Sequence, residues 1–206
     1  MSKSFIPPNY KTEDYRPADL TVFAGRGYKS RTIALATCTW SQIFRCQLIS
    51  HIGIVSRHKE EPKHFESTTW RLQKCEIQER YVKGVQANDP ELRVAMYPGH
   101  VWLLRLSDRH QLTLDQQQRL EYFCHYYLGT PYDYTQAMLS GTKFIKNLSC
   151  FRADKRLLFC DEFVGFGLMD CKVIGHGDFI PSSVTPGWLV WWLVAHGIYQ
   201  PLKRLK

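Results

Sequence analysis

No apolar run in this 206-residue chain reaches the roughly 18 residues that a membrane-spanning helix needs. The nearest, from Trp188 to Ile198, is short and is broken by His196 and Gly197. The N-terminal stretch Met1-Ser2-Lys3-Ser4-Phe5-Ile6-Pro7-Pro8 lacks the apolar centre of a secretory signal. The seven cysteines (38, 46, 75, 124, 150, 160 and 171) are odd in number and include no C-x-x-C pair. These absences argue against a spanning helix and a disulfide scaffold, and they lead us to expect synthesis in a reducing cytosol with free thiols. There is no H-E-x-x-H and no close set of three or four ligands, so no metal is expected. Gly25-Arg26-Gly27 is too short for a phosphate loop, and no cofactor is expected. RNA-binding signatures, zinc-finger spacing and basic heptads are also missing, so a specific nucleic-acid partner is not expected.

What is present fits one globular domain. Apolar residues make up 44% and charged residues 22%, and the length is enough to bury a core. Aromatics at 14% suggest a dense interior or an aromatic-lined cleft. The formal charge of +8 suits anionic partners. Its carriers are spread along the chain, apart from the small terminal cluster Lys203-Arg204-Lys206.

Residues 1–18 carry three prolines and little periodicity, and read as an arm laid over a single domain of residues 19–206. Leu20–Gly25 is a strand ending in a glycine turn. Residues 30–48 fit either a helix or an irregular segment. Ser50–Ser56 alternates as a strand, Lys59-Glu60-Glu61-Pro62-Lys63 reads as a turn, and His64–Trp70 as the returning strand of a hairpin. Cys75–Val85 can continue the sheet, with Gly84 near its end, and Asn88-Asp89-Pro90 reads as a turn. Val94–Met96 is short and apolar, and weaker as a strand than Val101–Leu106. Thr113, with Gln116 three residues on, forms a capping box for a helix that Gly129 ends. Residues 135–156 are looser. A helix from about Phe159 to Met169 and a last apolar helix, Gly187–Ala195, close the chain.

Cys160 carries the chemical interest. A cysteine opening a helix lies at the positive end of the peptide dipoles, which favours thiolate. Asp161 and Glu162 suit a first helical turn but put negative charge beside the sulfur. A general base is therefore needed, and a histidine is the only suitable type. A buried core cysteine is the alternative. His51 lies within the strand Ser50–Ser56, next to Gly53, and glycine in a strand often marks the close approach of a backbone or ligand. A hairpin centred near residues 59 and 60 brings Glu66 within about two residues of His51 in register, on one face. The carboxylate can then hold one imidazole nitrogen and leave the other for the thiol. The alternatives are a satisfied sheet histidine and a surface glutamate on an edge strand. His125 falls on a solvent-facing helix position. His176, in a glycine-flanked loop, is the reserve base, and His64 is weaker.

Placed in order, these stretches resemble one family, the circularly permuted NlpC-type, papain-like cysteine hydrolases of the YiiX-like branch. The matching residues are Asp19 with Leu20-Thr21-Val22-Phe23-Ala24-Gly25, then Ser50-His51-Ile52-Gly53-Ile54-Val55, then Glu66. Gly129-Thr130-Pro131-Tyr132-Asp133, Phe159-Cys160-Asp161-Glu162-Phe163-Val164 and Thr185-Pro186 follow. Two features depart from the pattern: Asp161, where serine is usual, and the helix bearing Trp188, Trp191 and Trp192.

The resemblance implies an α+β fold in which a small antiparallel sheet or half-barrel packs against the helix of Cys160. It implies amide hydrolysis through a thioester, with Cys160 as nucleophile, His51 as base and then acid, and Glu66 orienting His51. The Cys160 N–H would help to hold the oxyanion, and Tyr132 would line a substrate cleft. The substrate would be a peptide or acyl amide; cell-wall peptide and membrane-surface lipid both suit the basic charge. A lipid acyltransferase or thioesterase of the lecithin–retinol type and a non-catalytic binding protein are the rival readings.

Overall fold

The computed structural model describes residues 11, 14–25, 49–70, 73–133 and 157–206, together with the Ser183 backbone but not its side chain. Residues 1–10, 30–48 and 135–156, three stretches read above from sequence, lie outside the described residues. The strands are β1 (Leu20–Gly25), β2 (His51–His58), β3 (Glu61–Thr68), β4 (Gly84–Asn88), β5 (Gly99–Leu104) and β6 (Lys203–Arg204). The α-helices are α1 (Pro90–Met96), α2 (Leu114–Tyr126), α3 (Cys160–Asp170) and α4 (Pro186–Ala195). The strands form one antiparallel sheet in the order β4-β3-β2-β1-β5-β6, so the fold is α+β.

Both faces of the sheet are covered, which is why β1 and β2 are buried almost without alternation. Leu20, Val22, Ile52, Ile54, Phe65 and Val85 point to one face and join the main core. There they meet Leu120 and Phe123 of α2, Phe163 and Leu168 of α3, and Leu189 and Leu193 of α4. Phe23, Val55, Val101 and Leu103 point the other way, into a smaller cluster with Tyr15, Val94, Tyr97 and Leu205. Burying each large apolar side chain contributes roughly 1.5–3 kcal/mol, so the two clusters hold the sheet from both sides. Tyr15 and the Ala18 N–H, which bonds Val55 O at 2.8 Å, lay residues 14–18 over the sheet. The terminal basic residues are also tied down. Arg204 pairs with Trp102 in β6, and Lys206 Nζ donates to Ala95 O and Tyr97 O.

Local signals place most elements. Thr113 and Gln116 make both bonds of the capping box on α2, and Gly129, at φ +87°, follows its end. Thr185 caps α4 through the Trp188 N–H. Three readings change. The hairpin turn is only Lys59-Glu60, both in the left-handed region at φ +50° and +67°, and β3 already starts at Glu61. Pro62 is tolerated there because β4 pairs with β3 only from His64 onward, which leaves its missing N–H facing no strand. Residues 75–83 do not continue the sheet: Cys75 and Arg80 make an isolated bridge, and the strand begins at Gly84. Val94–Met96 belongs to helix α1, because Pro90 takes its first position and Asp89 Oδ1 accepts the Leu92 N–H at 2.8 Å.

Candidate functional site: a cysteine wedge in a split sheet

The hairpin register places Ile54 opposite Phe65 and stops there. Beyond that pair, β2 stays with β1 as far as Phe23 opposite His51. β3 stays with β4 as far as Thr68 opposite Gly84. The two central strands therefore part at residues 51–53 and 66–68. Glu66 lies one pair past the ladder, diagonal to His51 and on its face, as the sequence spacing predicts. Across the split, His51 Nε2 and Glu66 Oε2 are 2.6 Å apart.

The N-terminus of α3 enters this split. Its lead-in is fixed by Ser67 Oγ donating to Leu158 O at 2.6 Å and by the Leu158 N–H on Pro131 O at 3.1 Å. Glu162 Oε2 accepts the Phe159 N–H at 3.0 Å, closing the start of the helix. Cys160 follows as the first helical residue, and the backbone N–H groups of Ile52 and Asp161 lie close enough to its sulfur to favour the thiolate form. Ile52 immediately follows His51. The thiol therefore touches the strand at the residue beside the imidazole.

Burial pushes the Cys160 thiol well above its ordinary value, and the Asp161 and Glu66 charges push the same way. The Ile52 and Asp161 N–H groups pull down, and lose. This corrects the expectation that the helix N-terminus tips Cys160 toward thiolate: the residue is fully buried, and desolvation outweighs the peptide dipoles. Activation then has to come from a base at the moment of reaction.

Glu66 is fully buried on an interior strand, which corrects the surface-edge alternative. Arg93 grips it with two prongs, Nε to Oε1 at 2.6 Å and Nη2 to Oε2 at 2.8 Å, and Gln86 Nε2 adds a bond to Oε1 at 3.3 Å. Burial alone would raise the Glu66 carboxyl. The Arg93 charge, with the hydrogen bond from His51, outweighs it and holds the group well below the usual range. An ionised Glu66 can only accept, so His51 donates to it through Nε2, and Nδ1 is the ring nitrogen left over for other partners. The ring of His51 is largely covered, with 13% of the side chain exposed, and Phe23 lies beside it.

Gly53 is explained by a neighbour, not by a ligand. A Cβ there would lie 2.2 Å from His64 Nε2. His64 is fully buried and bonds Thr21 Oγ1, so its low ranking from sequence understates its place in the site wall. Tyr132 packs its ring edge-on to Phe159 at 5.6 Å, one residue before Cys160. His176 is exposed in a cavity of about 490 Å³ with Arg119 and Lys172, beside the far end of α3. Cys160 opens that helix, about 15 Å away along its axis. His125 is half-buried, not solvent-facing, because its ring packs on Phe65 and bonds Arg57 O. Arg93 was missed from sequence. The signal was Asp-Pro at 89–90, which starts a helix and so places Arg93 one turn on, among apolar residues.

No protein-family model matches the chain, and no curated protein matches it. Among solved structures it is similar to the crystal structure of metalloprotein yiiX from Escherichia coli O157:H7, a DUF1105 protein. The TM-score is 0.56 at 17% identity, over 93% of this chain and 96% of that one. The chain shares that fold. The word metalloprotein belongs to yiiX. Among the described residues here, no group of three or more His, Cys, Asp or Glu side chains could hold a metal ion. Both Glu66 oxygens are already taken by Arg93, so the residues at this site do not fit a metal.

Proposed function

We propose that this chain is a papain-like cysteine hydrolase of the permuted NlpC type, cleaving an amide through a thioester on Cys160. The observation that carries this reading is the meeting at the sheet split. The Cys160 sulfur sits on the N–H that follows His51, and His51 is held through Nε2 by a buried, ionised Glu66. In the proposed reaction, His51 Nδ1 takes the thiol proton as sulfur attacks the carbonyl carbon. Negative charge develops on the carbonyl oxygen, toward the Cys160 backbone N–H at the helix start. As the C–N bond breaks, His51 gives its proton to the departing amine. Water, deprotonated by the same nitrogen, then releases the acid and regenerates the thiol. Glu66 stays ionised throughout and Tyr132 flanks the approach. A peptide amide, of the cell-wall kind in the first instance, is the substrate class that the fold and the basic charge favour.

One observation favours a second reading. Cys160 is 0% exposed and its thiol is held protonated, as a non-catalytic protein on this fold would allow. Intact-mass spectrometry separates the two. The full chain is incubated with a muropeptide, a peptide anilide and phosphatidylcholine vesicles. The hydrolase reading predicts a hydroxylamine-labile acyl adduct on Cys160 with one of the amides, absent in Cys160→Ala and His51→Ala. An adduct only from the phospholipid makes the chain a lipid acyltransferase or thioesterase. No adduct from any of them leaves the non-catalytic reading.

A further inference from the structure

Arg93 is 1% exposed, yet its guanidinium spends both of its protein hydrogen bonds on Glu66. Its Nη1 is buried with no hydrogen-bond partner. Three aromatic rings surround it, Trp70 at 3.9 Å, Phe23 at 4.5 Å and Tyr97 at 5.2 Å from the guanidinium carbon. A buried ion pair is a poor way to hold a core together, since well-packed apolar residues of similar volume do as well or better. An arginine with one nitrogen unsatisfied is poorer still. What the arrangement supplies is a carboxylate fixed in both position and charge, hydrogen-bonded directly to an imidazole at 2.6 Å.

We propose that Arg93 is a positioning residue: its two-pronged grip turns the Glu66 carboxylate toward His51 and offsets its charge, so that His51 rests as a neutral imidazole with Nδ1 open. This rests on the hydrolase reading above. A carboxylate at 2.6 Å with no cation of its own favours the imidazolium and reduces the share of free base at neutral pH. With the Arg93 cation on the same carboxylate, the pull on a His51 proton is weakened while the hydrogen bond is kept. The other titratable groups that face the pair are His64 on β3 and Cys160 on α3. His64 is neutral there, Cys160 is protonated, and Gln86 on β4 carries no charge. The offset therefore comes from Arg93.

The test is the ring titration of His51 in the ¹⁵N-labelled full chain, its signals assigned by their loss in His51→Ala. In Arg93→Met the titration midpoint moves up by at least about one pH unit, a tenfold gain in proton affinity. In Arg93→Lys, which keeps the charge but loses the fork, it moves up by less. A folded Arg93→Met with an unmoved midpoint overturns the proposal, as does a lysine variant that shifts as far as the methionine one. Should Arg93→Met not fold, Arg93→Gln, which removes the charge but keeps a donor for Glu66, takes its place: an upward shift supports the role and a wild-type midpoint removes it. Iodoacetamide labelling of the same samples keeps the two claims apart. If His51→Ala does not slow Cys160, the hydrolase reading fails and the positioning role falls with it. If it does slow Cys160 while the Arg93 midpoints stay put, only the role of Arg93 is lost.

Discussion

His64 is a basic side chain kept neutral inside the sheet wall. Burial is the main cause, with the Arg93 charge adding to it and Glu66 opposing, and the result is a pKa pulled from 6.5 to about 3. An unfolded chain therefore binds a proton at this residue between those values while the folded one does not. Stability supplied by this group is complete above about pH 6.5 and drains as pH falls, approaching about 1.4 kcal/mol per pH unit. Glu66 acts in a lower window, since its depressed carboxyl costs stability only below about pH 4.5. Urea unfolding midpoints between pH 7 and 5 should thus fall in the wild type and fall less in His64→Gln. Parallel pH profiles would mean that His64 is not held neutral. Gly53 tests the same contact from the other side. Its added Cβ would press on His64 Nε2 and on Phe65 O, at 3.0 Å, and neither can yield easily in a closed core. Gly53→Ala should cost roughly 1–3 kcal/mol in thermal or urea unfolding. A loss under about 0.5 kcal/mol would show that His64 moves freely.

At the scale of elements, the lead-in of α3 has one short side-chain tether to the sheet. Ser67 Oγ holds Leu158 O, and that carbonyl has only a longer 3.4 Å bond from the Asp133 N–H besides. Ser67→Ala should cost about 1 kcal/mol and slow the modification of Cys160 more than that of Cys124. Thr113→Ala should cost a similar ~1 kcal/mol through the α2 cap and leave the Cys160 rate unchanged. Equal effects of both variants on Cys160 would mean that general loosening, not the lead-in, sets its reactivity. These elements also show what could be read without coordinates. β1, β2, α2, α3 and α4 were placed within about two residues, because a cap, a glycine stop or an apolar period lies inside each one. The nearness of His51 and Glu66 followed from centring the hairpin near residues 59 and 60 and from the period of the strand; the two-residue length of the turn did not, because Glu61-Pro62-Lys63 reads as turn and pairs as strand. Helix α1 was not legible: seven residues carry too few periods, and only Asp89-Pro90 announces it. Arg93 was lost with it. The split between β2 and β3 was out of reach for a different reason. A third element lies against both strands there, the Cys160 lead-in, which arrives more than 90 residues later in the chain.

Over the whole molecule, two charge-bearing regions are held in place and not left free. The C-terminal basic residues are stitched to β5 and α1, and the ion pair of Glu66 and Arg93, with His51 bonded to it, is buried between the sheet and α1. Because both Glu66 oxygens serve Arg93, exhaustive chelation should leave the unfolding temperature and any turnover unchanged. A zinc-restorable loss of either would require His51 to be a ligand. The central claim is that Cys160 and His51 act as a pair, and the rate of Cys160 alkylation tests it most directly. Cys75, Cys124 and Cys171 are equally buried and serve as controls within the same chain. Iodoacetamide labelling at pH 7, mapped by peptide mass, should modify Cys160 at least about tenfold faster than these three. His51→Ala should remove that advantage without changing the controls. Labelling of Cys160 at the controls' rate, or at the same rate with and without His51, would contradict the account.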